Sequence, residues 1–125
     1  MLYRVLAVCA LAAAATFAQG DDPALLDELW VEGETIFGTS CVSCHDADGG
    51  SSSAPALSGH PSMGARDHIV RQILFGNPAK GMPAFAPTLD DRQVAAVATY
   101  IRNAWENAHG IVVADDVRRI REEKR

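Results

Sequence analysis

The sequence predicts an all-α protein built as one small domain behind a short N-terminal leader. Three stretches of the chain place apolar residues at helical spacing, and none shows the strict alternation typical of a half-buried strand. The chain has 125 residues, of which 48% are hydrophobic and 22% are charged. This is the balance of an ordinary globular domain, and the length leaves no room for a second one.

The charge of the chain argues against nucleic-acid binding. Eleven Lys and Arg residues stand against sixteen Asp and Glu residues, giving a formal net charge of −5. Arg4 is the only basic residue before position 66. The first half of the chain therefore has no basic stripe that could neutralise phosphates.

Residues 1–18 are predicted to be a signal peptide. Arg4 supplies a positive start, residues 5–15 are an unbroken apolar run of eleven, and the cleavage pattern of small residues ends at Ala18. The run is too short to cross a hydrocarbon core of about 30 Å comfortably, so an uncleaved anchor helix fits less well. A lipoprotein site at Cys9 fits worse still. We expect a periplasmic protein whose mature chain, with one base and no acid removed, carries a net charge of −6.

The first two predicted helices of the mature chain have clear end signals. Asp22 is a suitable N-cap and Pro23 suits the first helical position, so the first helix begins there and ends near Gly38. The second helix ends at Gly76. Its apolar face consists of Ile69, Val70, Ile73 and Leu74.

The third predicted helix has the strongest pattern. Thr88 with Asp91 forms a variant of the capping box at its start, with Asp where Glu or Gln is usual. One apolar stripe then follows. The stripe consists of Val94, Val97, Ala98, Ile101, Ala104 and Trp105.

The chain beyond these helices changes in composition. We assign residues 19–110 to the folded domain and residues 111–125 to a charged C-terminal tail. The tail is expected to be a short solvated helix or a frayed end, with docking to a partner as the alternative.

Cys41, Cys44 and His45 form the sequence C-x-x-C-H, the attachment motif of c-type haem. Each thiol of such a motif adds to one haem vinyl group, and the histidine binds the iron through Nε2. One helical turn separates the cysteines, so both face the porphyrin edge. We therefore predict one haem c, held covalently through both cysteines, with His45 as an axial ligand.

Other uses of the cysteine pair fit less well. A structural zinc site needs a second pair of ligands at metal spacing, and the other histidines are scattered. A thioredoxin-like redox pair follows a strand, whereas a helix is predicted here. A simple disulfide leaves His45 without a role.

Met82 is the predicted sixth ligand of the iron. It lies between Gly81 and Pro83 in a proline-rich loop without helical period, so core filling suits it less well than ligation. Thioether ligation favours the ferrous state and raises the reduction potential. Met63, His60 and an open site are the alternatives.

These motifs resemble those of the class I c-type cytochromes, in particular small bacterial single-haem members with a "YIRNSWGN"-type C-terminal helix. Gly33 and Phe37 match the family's N-terminal helix where it crosses the C-terminal helix, and Tyr100 in "ATYIRNAWEN" matches the aromatic residue of that partner helix. The string departs from the family at Ala104 and Glu106, which we expect in a surface turn. The resemblance implies a cytochrome c fold of three to five helices around one covalently bound haem.

The resemblance also extends to the loops. "GMPAF" at residues 81–85 matches the family's methionine loop, which implies His45 and Met82 as axial ligands. Pro55 matches a proline whose carbonyl accepts a hydrogen bond from the other nitrogen of the haem histidine. Arg71 is expected either to pair with a haem propionate or to be solvated.

The function implied is electron transfer and not enzymatic catalysis. A haem with both axial positions filled favours single-electron transfer through its exposed edge, between redox proteins that dock transiently. The acidic charge favours basic partners, and we expect no nucleic-acid partner and no stable membrane insertion after signal cleavage. The alternatives are an electron-transfer subunit of a periplasmic dehydrogenase or reductase, and a ligand-binding or enzymatic haem protein with a labile sixth ligand.

Overall fold

The computed structural model describes residues 22–124, and the predicted signal peptide lies outside this range. This part of the chain is helical, and its extended pairing is limited to one bridge between Asn77 and Met82. The helices are α1 (Pro23–Ser40), α2 (Val42–His45), α3 (Arg66–Phe75), α4 (Asp91–Asn103) and α5 (Ala114–Glu122), with 3-10 turns at Pro61–Gly64 and Pro78–Lys80. The all-α prediction is confirmed. In residues 22–124 no helix has both the length and the apolar character needed to span a membrane.

Helices α1 and α4 cross in close backbone contact. A Cβ atom added to Gly33 would fall on the carbonyl oxygen of Ala96 and lie 2.7 Å from Cβ of Tyr100. One turn later the ring of Phe37 lies 5.5 Å from the ring of Tyr100. The crossing implied by the resemblance is confirmed, and glycine permits it because it has no side chain.

Helix α4 forms the centre of the core. The stripe predicted for it is buried from Val94 to Ala104, with at most 6% of any of its residues exposed over that span. Trp105 is half-buried and packs against the same core. Ala104 is therefore a core residue and not part of a surface turn, whereas Glu106 is exposed as expected.

Two predicted helix ends were wrong. Helix α1 continues past Gly38 to Ser40, because Gly38 does not have the positive φ with which a glycine ends a helix. The N-cap of α4 is Asp90 and not Thr88. Its Oδ1 accepts from the backbone N–H of Gln93 at 2.8 Å, and Oε1 of Gln93 accepts from the N–H of Asp90 at 2.9 Å, since Gln is long enough to reach back.

The C-terminal segment also differs from the prediction of a solvated tail. Helix α5 packs against α3 and α4, with Val117 and Ile120 fully buried. One of its charged residues, Arg119, reaches α3 and binds the carboxylate of Asp67 at 3.1 Å. The dense charge of this segment forms one face of an amphipathic helix.

Arg71 was expected to pair with a haem propionate or to be solvated, and its side chain is 44% exposed; the propionate pairing stays a prediction. Its guanidinium pairs with the carboxylate of Glu123, at the end of α5. Buried apolar residues and two ion pairs, Arg119–Asp67 and Arg71–Glu123, therefore join α3 and α5.

Candidate haem site

The C-x-x-C-H residues lie in one tight turn that follows α1 directly. The backbone N–H groups of Cys44 and His45 both donate to the carbonyl oxygen of Cys41, at 3.2 and 3.0 Å. Cys41 is half-buried, Cys44 is exposed, and both are free thiols. Burial, followed by the neighbouring Cys44, raises the pKa of Cys41 to about 11, so this thiol is protonated at neutral pH.

The orientation of His45 is set by the loop that follows it. Nδ1 of His45 lies 3.1 Å from the carbonyl oxygen of Pro55. Because a carbonyl only accepts, His45 donates through Nδ1, and Nε2 keeps its lone pair for a metal ion. The hydrogen bond implied by the resemblance is confirmed. Leu57 and Ser58 fold this loop back by donating to the carbonyl oxygen of Gly49 at 2.8 and 3.0 Å.

Met82 lies in a loop that is held by backbone hydrogen bonds at Met82 itself and again a few residues later. Asn77 and Met82 exchange two backbone hydrogen bonds, at 2.9 and 3.1 Å. Gly76 has a φ of +63°, and a Cβ atom there would lie 2.5 Å from the carbonyl oxygen of Met82. Beyond Met82, the N–H groups of Phe85 and Ala86 donate to carbonyl oxygens at the end of α3, at 3.1 and 2.9 Å. The half-buried Met82 is thus held close to α3.

His45 and Met82 line the same two adjoining cavities, of about 220 and 550 Å³. Cys41 lines both cavities and Cys44 lines the outer one. The inner cavity has a largely apolar wall that includes Phe37, Leu57, Ile69, Ile73, Val97 and Ile101. An apolar wall together with an imidazole, a thioether and two thiols among the lining residues of the two cavities fits the donor set of haem c.

The rival ligands also border the inner cavity. Met63 is only 3% exposed and belongs to the hydrophobic core. His60 caps the first 3-10 turn, since its Nδ1 accepts from the N–H of Ser62 at 3.1 Å. Both therefore have a packing or capping role that Met82 lacks.

Sequence reasoning missed the polar residues that hold the cavity wall in place. The amide of Asn107 donates to the carbonyl oxygens of Leu57 and Ile101, at 3.0 and 2.8 Å, and accepts from the N–H of Gly59 at 2.9 Å. The buried guanidinium of Arg102 donates to the carbonyl oxygen of Met63 at 2.9 Å. Burial lowers the pKa of Arg102. The sequence feature that could have indicated Arg102 and Asn107 is the set of polar residues in the "YIRNAWEN" string.

Comparisons with known proteins identify the family of the chain. Residues 28–101 match the family model described as cytochrome c oxidase, cbb3-type, subunit III. Cytochrome c6 of Thermosynechococcus vestitus is 32% identical over 106 residues, which cover 81% of this chain and 91% of that protein.

Two further relatives are much longer. The gluconate 2-dehydrogenase cytochrome c subunit of Pantoea cypripedii is 34% identical over 110 residues, covering 74% of this chain and 24% of that protein. The fructose dehydrogenase cytochrome subunit of Gluconobacter japonicus is 32% identical over 106 residues, covering 72% and 22%. The chain thus spans about a quarter of the length of each subunit. With a helical fold and a family match over more than half of its length, the chain belongs to the class I c-type cytochromes, electron-transfer proteins that bind haem c covalently.

Proposed function

We propose that this protein carries single electrons on one haem c, with Cys41 and Cys44 as the attachment points and His45 and Met82 as axial ligands. The observation that carries the proposal is that His45 and Met82 line the same two cavities, beside both thiols. When bound, the haem supplies a one-electron redox centre. We propose no enzymatic role for the protein.

The residues of the chain support this role by keeping the ligands in place. The bond from His45 to the carbonyl oxygen of Pro55 fixes the imidazole tautomer. The bridge between Asn77 and Met82 restrains the backbone that carries the thioether side chain. With haem bound, residues held this way would keep the imidazole and the thioether in place in both oxidation states, which would limit reorganisation during electron transfer.

The identity of the sixth ligand is tested by Met82→Ala, with Met63→Leu as the matched control. Oxidised wild-type protein is expected to be low-spin with the far-red methionine–iron band, and reduced protein to ignore carbon monoxide. Met82→Ala should keep covalent haem, lose the band, lower the potential and bind carbon monoxide. Met63→Leu should retain the band.

Two results would contradict this assignment. Loss of the band in Met63→Leu alone would move the ligand to Met63. A high-spin wild-type protein that binds carbon monoxide rapidly would favour a ligand-binding or enzymatic haem protein.

Covalent attachment is tested separately by replacing Cys41 and Cys44 with alanine together. Acidified solvent should extract all haem from this variant and none from the wild type. Haem that resists extraction from the double variant would refute thioether attachment at these positions.

We further propose a free carrier located in the periplasm. The signal-peptide pattern of residues 1–18 supports the location, with residues 19–110 as the haem domain and residues 111–125 as its C-terminal extension. The match to nearly the whole of a cytochrome c6 supports a carrier. The matches to dehydrogenase cytochrome subunits favour the second candidate, a subunit of a dehydrogenase or reductase complex. Size-exclusion chromatography of native extract separates them, because a carrier elutes alone and a subunit elutes with its complex.

The charge of the mature chain supports a basic redox partner. A net charge of −6 speeds encounter with a cationic surface at low salt. The rate constant with the native partner is expected to fall as ionic strength rises. A rate constant that is flat or rises with salt would refute steering by net charge.

A further inference from the structure

We infer that Arg121 on α5 is a positioning residue for the sixth ligand, because it ties the loop that carries Met82 to the start of α4. The inference rests on the proposed ligation by Met82. It gives α5, a segment that the haem motif does not require, a part in electron transfer.

The guanidinium of Arg121 joins three elements. Nη1 donates to the carbonyl oxygen of Ala86 at 2.6 Å, Nη2 donates to that of Leu89 at 2.8 Å, and Nε donates to Oδ1 of Asp91 at 2.8 Å. Its side chain is 22% exposed. Hydrogen bonds from a charged donor in such partly buried surroundings are stronger than neutral ones.

The contact with Ala86 reaches Met82 through a short and restrained piece of chain. Ala86 follows Met82 by four residues, and Pro83 between them limits the backbone. The N–H of Ala86 is held by the carbonyl oxygen of Leu74 on α3, at 2.9 Å. Its carbonyl oxygen is held by Arg121. Both backbone polar groups of Ala86 are therefore hydrogen-bonded, and Arg121 donates the bond that comes from α5.

Helix α5 does not depend on Arg121 for its docking. Val117 and Ile120 are fully buried against the core. Arg119, on the same helix, binds Asp67 of α3 at 3.1 Å, and its hydrogen-bond partners do not include residues of the Met82 loop. Arg119 is thus a matched control for a charged α5 residue that bridges to the domain elsewhere.

The experiment uses the full-length holoprotein and compares Arg121→Gln with Arg119→Gln. Imidazole is added to the oxidised proteins, and the rate of methionine displacement is followed through the far-red methionine–iron band. Arg121→Gln is expected to react about tenfold faster, the change in loop opening that the loss of one charged hydrogen bond produces. Arg119→Gln should react at the wild-type rate. Reduction potentials are measured on the same samples, and that of Arg121→Gln should be lower.

Arg121→Lys is the second variant, which protects the test against a simple loss of folding. Lysine keeps the charge and the apolar stem but lacks the fork that reaches three acceptors. Its displacement rate should lie between those of the wild type and Arg121→Gln.

The outcomes separate this inference from the proposed function. If the wild type shows the band and Arg121→Gln reacts at an unchanged rate, the inference alone is overturned. Equal acceleration in Arg119→Gln also overturns it, because general loosening of α5 would then explain both variants. A wild type without the band overturns methionine ligation and this inference with it.

Discussion

At the scale of single residues, Gly33 is where the backbones of α1 and α4 touch. A side chain of any size there meets the carbonyl group of Ala96 and Cβ of Tyr100, neither of which is the flexible end of a side chain. Gly38 lies one and a half turns later on the same helix, and nothing is within 4 Å of the position that its Cβ would take. Alanine substitutions at the two positions therefore separate the steric effect of a side chain from the effect of helix propensity.

Gly33→Ala is expected to destabilise the holoprotein by about 1–3 kcal/mol, because the helices must move apart. Gly38→Ala is expected to stabilise it by up to about 1 kcal/mol, because alanine is the better helix former. Urea unfolding followed by circular dichroism measures both changes. Equal effects of the two substitutions would contradict the close crossing of α1 and α4.

A turn formed by residues that lie close together in sequence can be predicted from that sequence. Cys41, Cys44 and His45 fall within five positions, so their shared turn follows from spacing alone. Arg102 and Asn107 act on carbonyl oxygens 39 and 50 residues away, and no local pattern marks such bonds. For the same reason Arg121 could not be connected with the loop of Met82 before the fold was known.

At the scale of elements, α5 is the largest difference between expectation and structure. Charged residues dominate its composition, and this overall composition predicts a solvated segment. The helical period within it was overlooked: Val117 and Ile120 lie three residues apart on one face, and both are fully buried. A short helix with two core residues has few apolar positions from which that period could be recognised.

Ile120→Ala tests whether α5 is part of the domain. Removing a fully buried isoleucine side chain is expected to cost about 2–5 kcal/mol of unfolding free energy. Val31→Ala, at a position that is 66% exposed, should change stability by no more than about 0.5 kcal/mol. Denaturant midpoints of the two variants give the comparison, and similar small changes in both would mean that α5 is solvated.

The ion pairs between α3 and α5 predict a loss of stability in acid. Burial alone would raise the pKa of Asp67, but its bonds with Arg119 and Arg66 outweigh burial and lower it below 3.8. The hydrogen bond from Arg71 lowers the pKa of Glu123 below 4.5. A carboxylate with a lowered pKa contributes fully to stability when the pH is above its ordinary pKa. The contribution is lost as the pH falls through the pKa of the folded state.

Asp67→Asn should therefore make the melting temperature less dependent on pH between about pH 5 and pH 2. Asp115→Asn is the control, because Asp115 pairs with Arg118 within α5 itself. The effects of both substitutions on the pH profile should shrink at high salt, because dissolved ions screen exposed ion pairs. An unaltered pH profile for Asp67→Asn would remove this contact from the account of α5 docking.

At the scale of the whole molecule, the two cavities lined by His45 and Met82 occupy part of the space of a hydrophobic core. Aromatic residues are only 6% of the chain, and apolar side chains from α1, α3 and α4 point into the inner cavity. Without haem this apolar wall faces water instead of packed atoms, so the cofactor supplies part of the burial on which a small domain depends.

The Cys41→Ala, Cys44→Ala protein, extracted free of haem, is expected to keep helical far-ultraviolet circular dichroism and to lose its fixed aromatic signals. Such a spectrum reports helices without specific packing. The holoprotein at the same pH and salt is the reference. A haem-free chain with sharp aromatic signals and cooperative unfolding would show that the protein core is sufficient by itself.

The contact between α1 and α4 also joins parts of the chain that are far apart in sequence. Arg92 on α4 reaches Glu32 on α1, 60 residues earlier in the chain, so the two helices meet only by closing a long loop. Until that loop closes, α1 lacks its partner and the core that half-buries Cys41 is incomplete. On the proposed attachment, both thiols are therefore accessible to haem before the chain is fully folded.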